Sequence, residues 1–342
     1  MGAIVEYPGF VDVHVHFRDP GMSEAETTAS GLAAAERGGF AAVVTMPNTT
    51  PACDSVALLD YQRERARGHA VRLFPSACIS RARSGAEVAD LEALAAAGAA
   101  LFTDDGTYVA DDRVMAAAMR RAAALGMVVS QHALAPGVSE AAAIRRDLAL
   151  CRETGCRYHV QHLSTAEGVA LVLAAQREGL PVTAEATPHH LLLVQEDIPG
   201  DDGNWKMAPP LAHPEDRAAL RAAVKAGALM FATDHAPHPA ARKTCGYAAA
   251  ANGIVGLETA IAITHRVMVE EEGMDERAWA RAWHELPLAL LPPALAALPL
   301  KSTRIVRGRP ARTDLSRFRS LSRNCPYGGM EFDCWPLAAG EG

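Results

Sequence analysis

Short apolar runs rich in valine and phenylalanine recur at regular intervals along this chain, and an alanine-rich segment of helical period follows each one. The strand candidates are residues 10–17, 41–46, 71–78, 99–104, 127–133, 158–164, 181–187 and 229–234. Helical segments fit near 24–37, 55–67, 86–97, 112–125, 139–154, 166–179, 215–226 and 256–272, and glycines near helix ends (Gly38-Gly39, Gly126, Gly155, Gly227) suit left-handed caps. A strand that returns through a helix can only pair in parallel with its predecessor, so this alternation dictates a parallel sheet covered by helices. Eight units in strict order predict a closed (β/α)8 barrel of the TIM type, with a doubly wound open sheet as the competing arrangement.

The 342 residues accommodate such a barrel as one domain, placed at 8–272. Beyond 273 the pattern loosens into a helix, a Leu/Pro/Ala-rich stretch and a tail, read as a C-terminal helical extension packing on the barrel. The formal net charge of −7, with no lysine- or arginine-rich block, argues against nucleic acid and for a small-molecule substrate. No basic, apolar leader opens the chain and no apolar run is long enough to span a membrane, so a cytoplasmic location is the expectation. Seven cysteines without CxxC spacing are read as free thiols.

In the first strand, His14 and His16 alternate with Val13, Val15 and Phe17, which places both imidazoles on one face near the strand's C-terminal end. Active sites of such barrels lie at that end. A pair of hydrogen-bonded histidines in a half-buried strand is the bland alternative. His132, His162 and Asp234 close the fifth, sixth and eighth strand candidates at the same height. Imidazoles and a carboxylate suit a zinc ion that keeps open positions for catalysis. His159, His189, His190 and His235 are read as supporting or simply buried imidazoles.

The ordered set PGFVDVHVHFRDPG (8–21), TMPNT (45–49), FTDDG (102–106), YHVQHLS (158–164), TAEATPHHLLL (183–193) and ATDHAPH (232–238) resembles the dihydroorotases of the amidohydrolase superfamily. The resemblance runs over roughly residues 8–260, and the tail RFRSLSRNCPYGG is similar to the family's C-terminal segment. It implies zinc, one or two ions per chain, held by His14, His16, Asp105, His132, His162 and Asp234. Asp234 would double as the catalytic acid and base. Arg18, Asn48 and His238 would bind the substrate, the first two holding its carboxylate. For Arg18 the competing reading is an ion pair at the rim with Asp19 or Glu24. The implied reaction is the reversible cyclisation of N-carbamoyl-L-aspartate to L-dihydroorotate in pyrimidine biosynthesis. The implied protein partners are further copies of the chain, as a homo-oligomer, and an aspartate transcarbamoylase.

Three departures from the family pattern qualify these expectations. Many relatives bridge two metals with a carboxylated lysine, yet the first lysine here is Lys206; FTDDG instead resembles the form of a branch of the family, which implies an aspartate in the bridging position. Alternation lets one of Asp104 and Asp105 face the barrel interior, leaving the other as a helix cap or surface residue. Alignment with the family chooses Asp105. KMAPPL (206–211) carries Ala208 where relatives commonly have an asparagine that contacts the substrate ring. His14 also stands close to the start, so the family's small β-rich accessory domain is expected to be vestigial or absent. A hydantoinase, dihydropyrimidinase or allantoinase is the competing enzyme, and an inactive scaffold for a transcarbamoylase the competing non-enzyme.

Overall fold

The computed structural model describes residues 2–337. Strand β1 (Ala3–Tyr7) precedes the barrel, whose wall is formed by β2 (Phe10–Val15), β3 (Phe40–Thr45), β4 (Arg72–Pro75), β5 (Val128–Gln131), β6 (Arg157–Val160), β7 (Val182–Ala186) and β8 (Met230–Phe231). Two parallel sheets, β2-β3-β4 and β5-β6-β7-β8, make up most of it. The fourth strand expected at 99–104 is reduced to bridges, with Phe102 pairing to Ala77 on one side and Val129 on the other. Five backbone hydrogen bonds there still join β4 to β5: Ala100 N to Pro75 O, Ala77 N to Leu101 O, Thr103 N to Ala77 O, Phe102 N to Val128 O and Ser130 N to Phe102 O. At the opposite seam Val15 bridges to His235 and the His16 amide donates to the His235 carbonyl at 2.9 Å. The sheet thus closes on itself, and the fold is a (β/α)8 barrel rather than an open sheet.

Helices α1 (Thr28–Arg37), α2 (Val56–Arg65), α3 (Leu91–Ala96), α4 (Asp112–Ala124), α5 (Glu140–Thr154) and α6 (Ala166–Arg177) follow the first six positions of the wall. A short α7 (Pro188–Leu192) and then α8 (Pro214–Lys225) follow β7, and α9 (Ala260–Thr264) follows β8, continuing as a π-helix through 265–271. Their termini obey the local chemistry of the sequence: Ser139 accepts the Ala142 amide at the start of α5, and Gly155 ends it with φ 68°. No helix among the described residues is long and apolar enough to cross a membrane.

The barrel interior is divided along its axis. Val11, Val13, Ala42, Val44, Met46, Phe74, Leu101, Val128 and Met230 form an apolar cluster that includes Leu290 and Leu291. Leu290 ends α11 (Glu285–Leu290) and Leu291 caps it; this helix follows α10 (Glu276–Trp283) and packs on β2 and β8, plugging the N-terminal mouth of the barrel. Val11 and Val13 occupy inner positions, so strict alternation would turn His14 and His16 outward. The pairing of β2 with β3 shifts register between Asp12 and Val15, and this irregularity re-aims the two imidazoles inward.

The tail differs from the helical extension expected. After α12 (Pro293–Ala296) come β9 (Thr303–Arg312) and β10 (Glu331–Pro336), which join β1 in an antiparallel sheet with β9 in the middle. The missing sequence signal is the long-range pairing of the two ends of the chain, Ala3 opposite Arg307 through Tyr7 opposite Thr303. Thr303 Oγ1 ties this sheet to the barrel, accepting from the Phe10 amide and donating to the Gly39 carbonyl. A small three-stranded sheet therefore stands where the accessory domain was expected to be vestigial or absent. All seven cysteines are free.

Candidate metal centre

The six residues predicted as ligands converge at the C-terminal mouth of the barrel, and all six are buried. His14, His16 and Asp105 offer ligand atoms within 4.8 Å of one another, as do Asp105, His132 and His162. Asp105 belongs to both groups. Its Oδ1 lies 3.3 Å from His14 Nε2, 3.7 Å from His132 Nδ1 and 3.8 Å from His162 Nε2, while its Oδ2 lies 3.3 Å from His16 Nε2. Asp234 Oδ1 adds a further oxygen, 3.0 Å from His16 Nε2 and 3.4 Å from His14 Nε2.

This donor set fits a cation. His14 Nε2 and Asp105 Oδ1 are buried without a hydrogen-bond partner although they face the centre of the cluster, a costly arrangement unless something binds there. The carboxylates of Glu185, Asp234 and Asp105 surround His14 and raise its pKa well above the ordinary value, against the opposing cost of burial. Burial would by itself raise the pKa of Asp234, but His14 and His16 outweigh it and hold the carboxyl at about 2. For His162, burial and then His132 lower the pKa to about 3, so its imidazole is neutral and free to ligate. His162 and Asp234 also adopt left-handed backbone angles, φ 31° and 46°, a strain that gathers at functional sites.

Surrounding groups fix the rings. His16 Nδ1 donates to Asn48 Oδ1 at 2.8 Å, which turns Nε2 toward the cluster. Asn48, expected at the substrate, is thus engaged through its oxygen with His16. Asp12 accepts the His14 amide at 3.1 Å and the Thr233 amide and hydroxyl, tying the first strand to the residue before Asp234. Of these surrounding groups, Glu185 and Asp12 carry no role in the sequence analysis, whereas His159 is read there as a supporting or simply buried imidazole. The signal was present in Glu185, a carboxylate in the middle of an apolar strand.

Of the two adjacent aspartates, Asp105 faces the cluster. Asp104 is neither a helix cap nor a surface residue: it is buried, accepting the Ile79 amide at 2.8 Å, the Ser80 amide at 3.1 Å and the Ser80 hydroxyl.

Arg18 lies at the rim of the cluster, 6% exposed, with Nε donating to the Pro237 carbonyl at 3.2 Å and one terminal nitrogen 3.5 Å from His238 Nε2. The rim ion pair with Asp19 or Glu24 does not form. Asp19 instead accepts from Thr28 and Tyr61. Burial lowers the Arg18 pKa to about 10, which leaves it charged at neutral pH. His238 is held at about 3, by burial first and Arg18 second, so the pair carries one positive charge.

Curated sequences are similar to this one across nearly the whole chain. A dihydroorotase of Listeria innocua is 40% identical over 367 aligned positions, covering 97% of this chain and 84% of the relative. The chain belongs to the dihydroorotase family. A dihydroorotase of Bacillus caldolyticus is also 40% identical, covering 98% of this chain and 86% of its own length. The model of the family described as dihydro-orotase-like matches residues 3–146. Among solved structures, an L-hydantoinase from Arthrobacter aurescens superposes with a TM-score of 0.85 at 23% identity, covering 98% of this chain and 83% of its own. A dihydroorotase from Saccharomyces cerevisiae superposes with a TM-score of 0.82 at 17% identity, covering 98% of each chain. Those two likenesses establish the shared barrel fold. As in this family, the centre described here is built from residues able to hold metal.

Proposed function

We propose that this member of the dihydroorotase family is itself a cytoplasmic dihydroorotase, catalysing the reversible, zinc-dependent conversion of N-carbamoyl-L-aspartate to L-dihydroorotate. The observation that carries the substrate is Arg18. Its guanidinium is buried beside the ligand cluster, and among the described residues no carboxylate is in ion-pair contact with it, Asp234 and Asp105 acting on it only from further away. A buried charge without a counter-ion is costly, so the site is built for an anion supplied from outside. The substrate carboxylate answers that need, and a planar guanidinium can grip it through two hydrogen bonds. Hydantoin and dihydrouracil carry no such carboxylate, which separates this reading from the hydantoinases that share the fold.

Imidazole nitrogens and carboxylate oxygens suit zinc, and the two groups sharing Asp105 would hold up to two ions. A metal ion held there supplies Lewis acidity and acidifies water at neutral pH. In the hydrolytic direction the ionised Asp234 accepts a proton from the attacking water and returns it to the ring nitrogen as the C–N bond breaks. Ring closure runs the same transfers backwards, releasing water. Arg18 anchors the carboxylate while His238, neutral and adjacent, leaves that single positive charge undiluted.

A substrate panel tests the assignment. Dihydroorotate should be hydrolysed far faster than dihydrouracil, hydantoin or allantoin by the purified protein. A preference for any of the three uncharged rings would reject it.

A further inference from the structure

None of the steps above uses Glu185, a buried carboxylate in β7. Its Oε1 lies 2.5 Å from His14 Nδ1 and accepts the His162 backbone amide at 3.1 Å. Its Oε2 lies 2.9 Å from His159 Nε2, and His159 Nδ1 is in turn 2.8 Å from Thr183 Oγ1. His14 belongs to one ligand group and His162 to the other. A single oxygen therefore touches both halves of the centre.

Two different jobs follow from these contacts. With its Nδ1 proton donated to Glu185, His14 presents the lone pair of Nε2 to the cluster, and Nε2 is the atom left without a partner. His162 holds a left-handed backbone, φ 31°, that a side chain with a Cβ resists. A charge-assisted hydrogen bond from its amide opposes relaxation of that turn. His159, braced by Thr183, keeps the carboxylate from rotating away.

We propose that Glu185 is a positioning residue that prepares both metal positions at once, through the His14 side chain and the His162 backbone. The proposal rests on the reading that the cluster holds two zinc ions. Its test is metal affinity in chelator-stripped protein. Zinc is titrated against a chromophoric competitor and cobalt absorption is recorded, for wild type, Glu185→Ala and Glu185→Gln. Circular dichroism and melting of the stripped proteins accompany the titrations. The alanine variant should bind both ions about 10- to 100-fold more weakly and alter the cobalt spectrum. The glutamine variant keeps an accepting oxygen and loses the charge, so its loss should be smaller, about tenfold. If the alanine variant fails to fold, the glutamine variant decides alone. Wild-type affinity for both ions in a folded variant, or weakening confined to one ion, overturns the proposal. A wild type that takes up no zinc contradicts the metal reading itself, a separate failure.

Discussion

The carboxylates of Asp104 and Asp105 serve opposite sides of the chain at the fourth position of the barrel wall. Asp105 Oδ1 and Oδ2 each lie 3.3 Å from a histidine of the first strand, whereas Asp104 holds the amides of Ile79 and Ser80. Asp105→Asn should therefore lose most bound metal with little change in melting of the stripped protein. Asp104→Asn should keep its metal content but lose about 1–3 kcal/mol of stability, because buried amides lose a charged acceptor. Elemental analysis and thermal melts separate the two.

That division of labour shows how far the sequence could be read. Alternation restricts the inward position to one of two aspartates, but only the contacts across the barrel choose between them. The eight-unit order was legible because each strand and helix carries its own period. Period two places His14 and His16 on one face, yet their inward turn depends on a register shift that local pattern does not encode. Glu185 sat inside a recognised motif and still went unassigned, since its partners His14 and His159 come from other strands. The β9 and β10 strands were missed for a related reason: their order comes from pairing across the ends of the chain.

Arg18 gives the specificity prediction. A charge-assisted bidentate contact is worth roughly 1.5–3 kcal/mol, so Arg18→Gln should lower kcat/KM for dihydroorotate by about one to two decades. Dihydrouracil, lacking the carboxylate, should be a poor substrate for both proteins. Equal losses on the two substrates would remove Arg18 from carboxylate binding.

Lys243 supplies a pH dependence. Its buried ammonium donates to the carbonyls of Lys206 at 3.1 Å, Ala251 at 2.7 Å and Gly253 at 2.8 Å, joining two loops beside His238. Burial lowers its pKa to about 8. Below that pH three N–H groups serve three carbonyls, and above it a neutral amine has two. KM for dihydroorotate should rise about twofold to tenfold as pH passes upward through about 8, with kcat less affected. In Lys243→Met the same step should vanish from the KM profile. A step of equal size in both proteins would assign it to another group.

Asp234→Asn keeps an oxygen for the metal and loses the proton acceptor. Activity should fall about 10²–10⁴-fold in both directions while zinc content stays near wild type. Near-normal turnover would place the acid and base elsewhere.

The central claim is that a metal held by this cluster drives interconversion of carbamoyl aspartate and dihydroorotate. The direct measurement strips the purified protein with a chelator, then follows dihydroorotate formation from N-carbamoyl-L-aspartate as zinc is returned. The account predicts negligible turnover in the stripped protein and recovery in proportion to zinc bound, up to two equivalents. Undiminished turnover by the stripped protein, or none after zinc is restored, would contradict it.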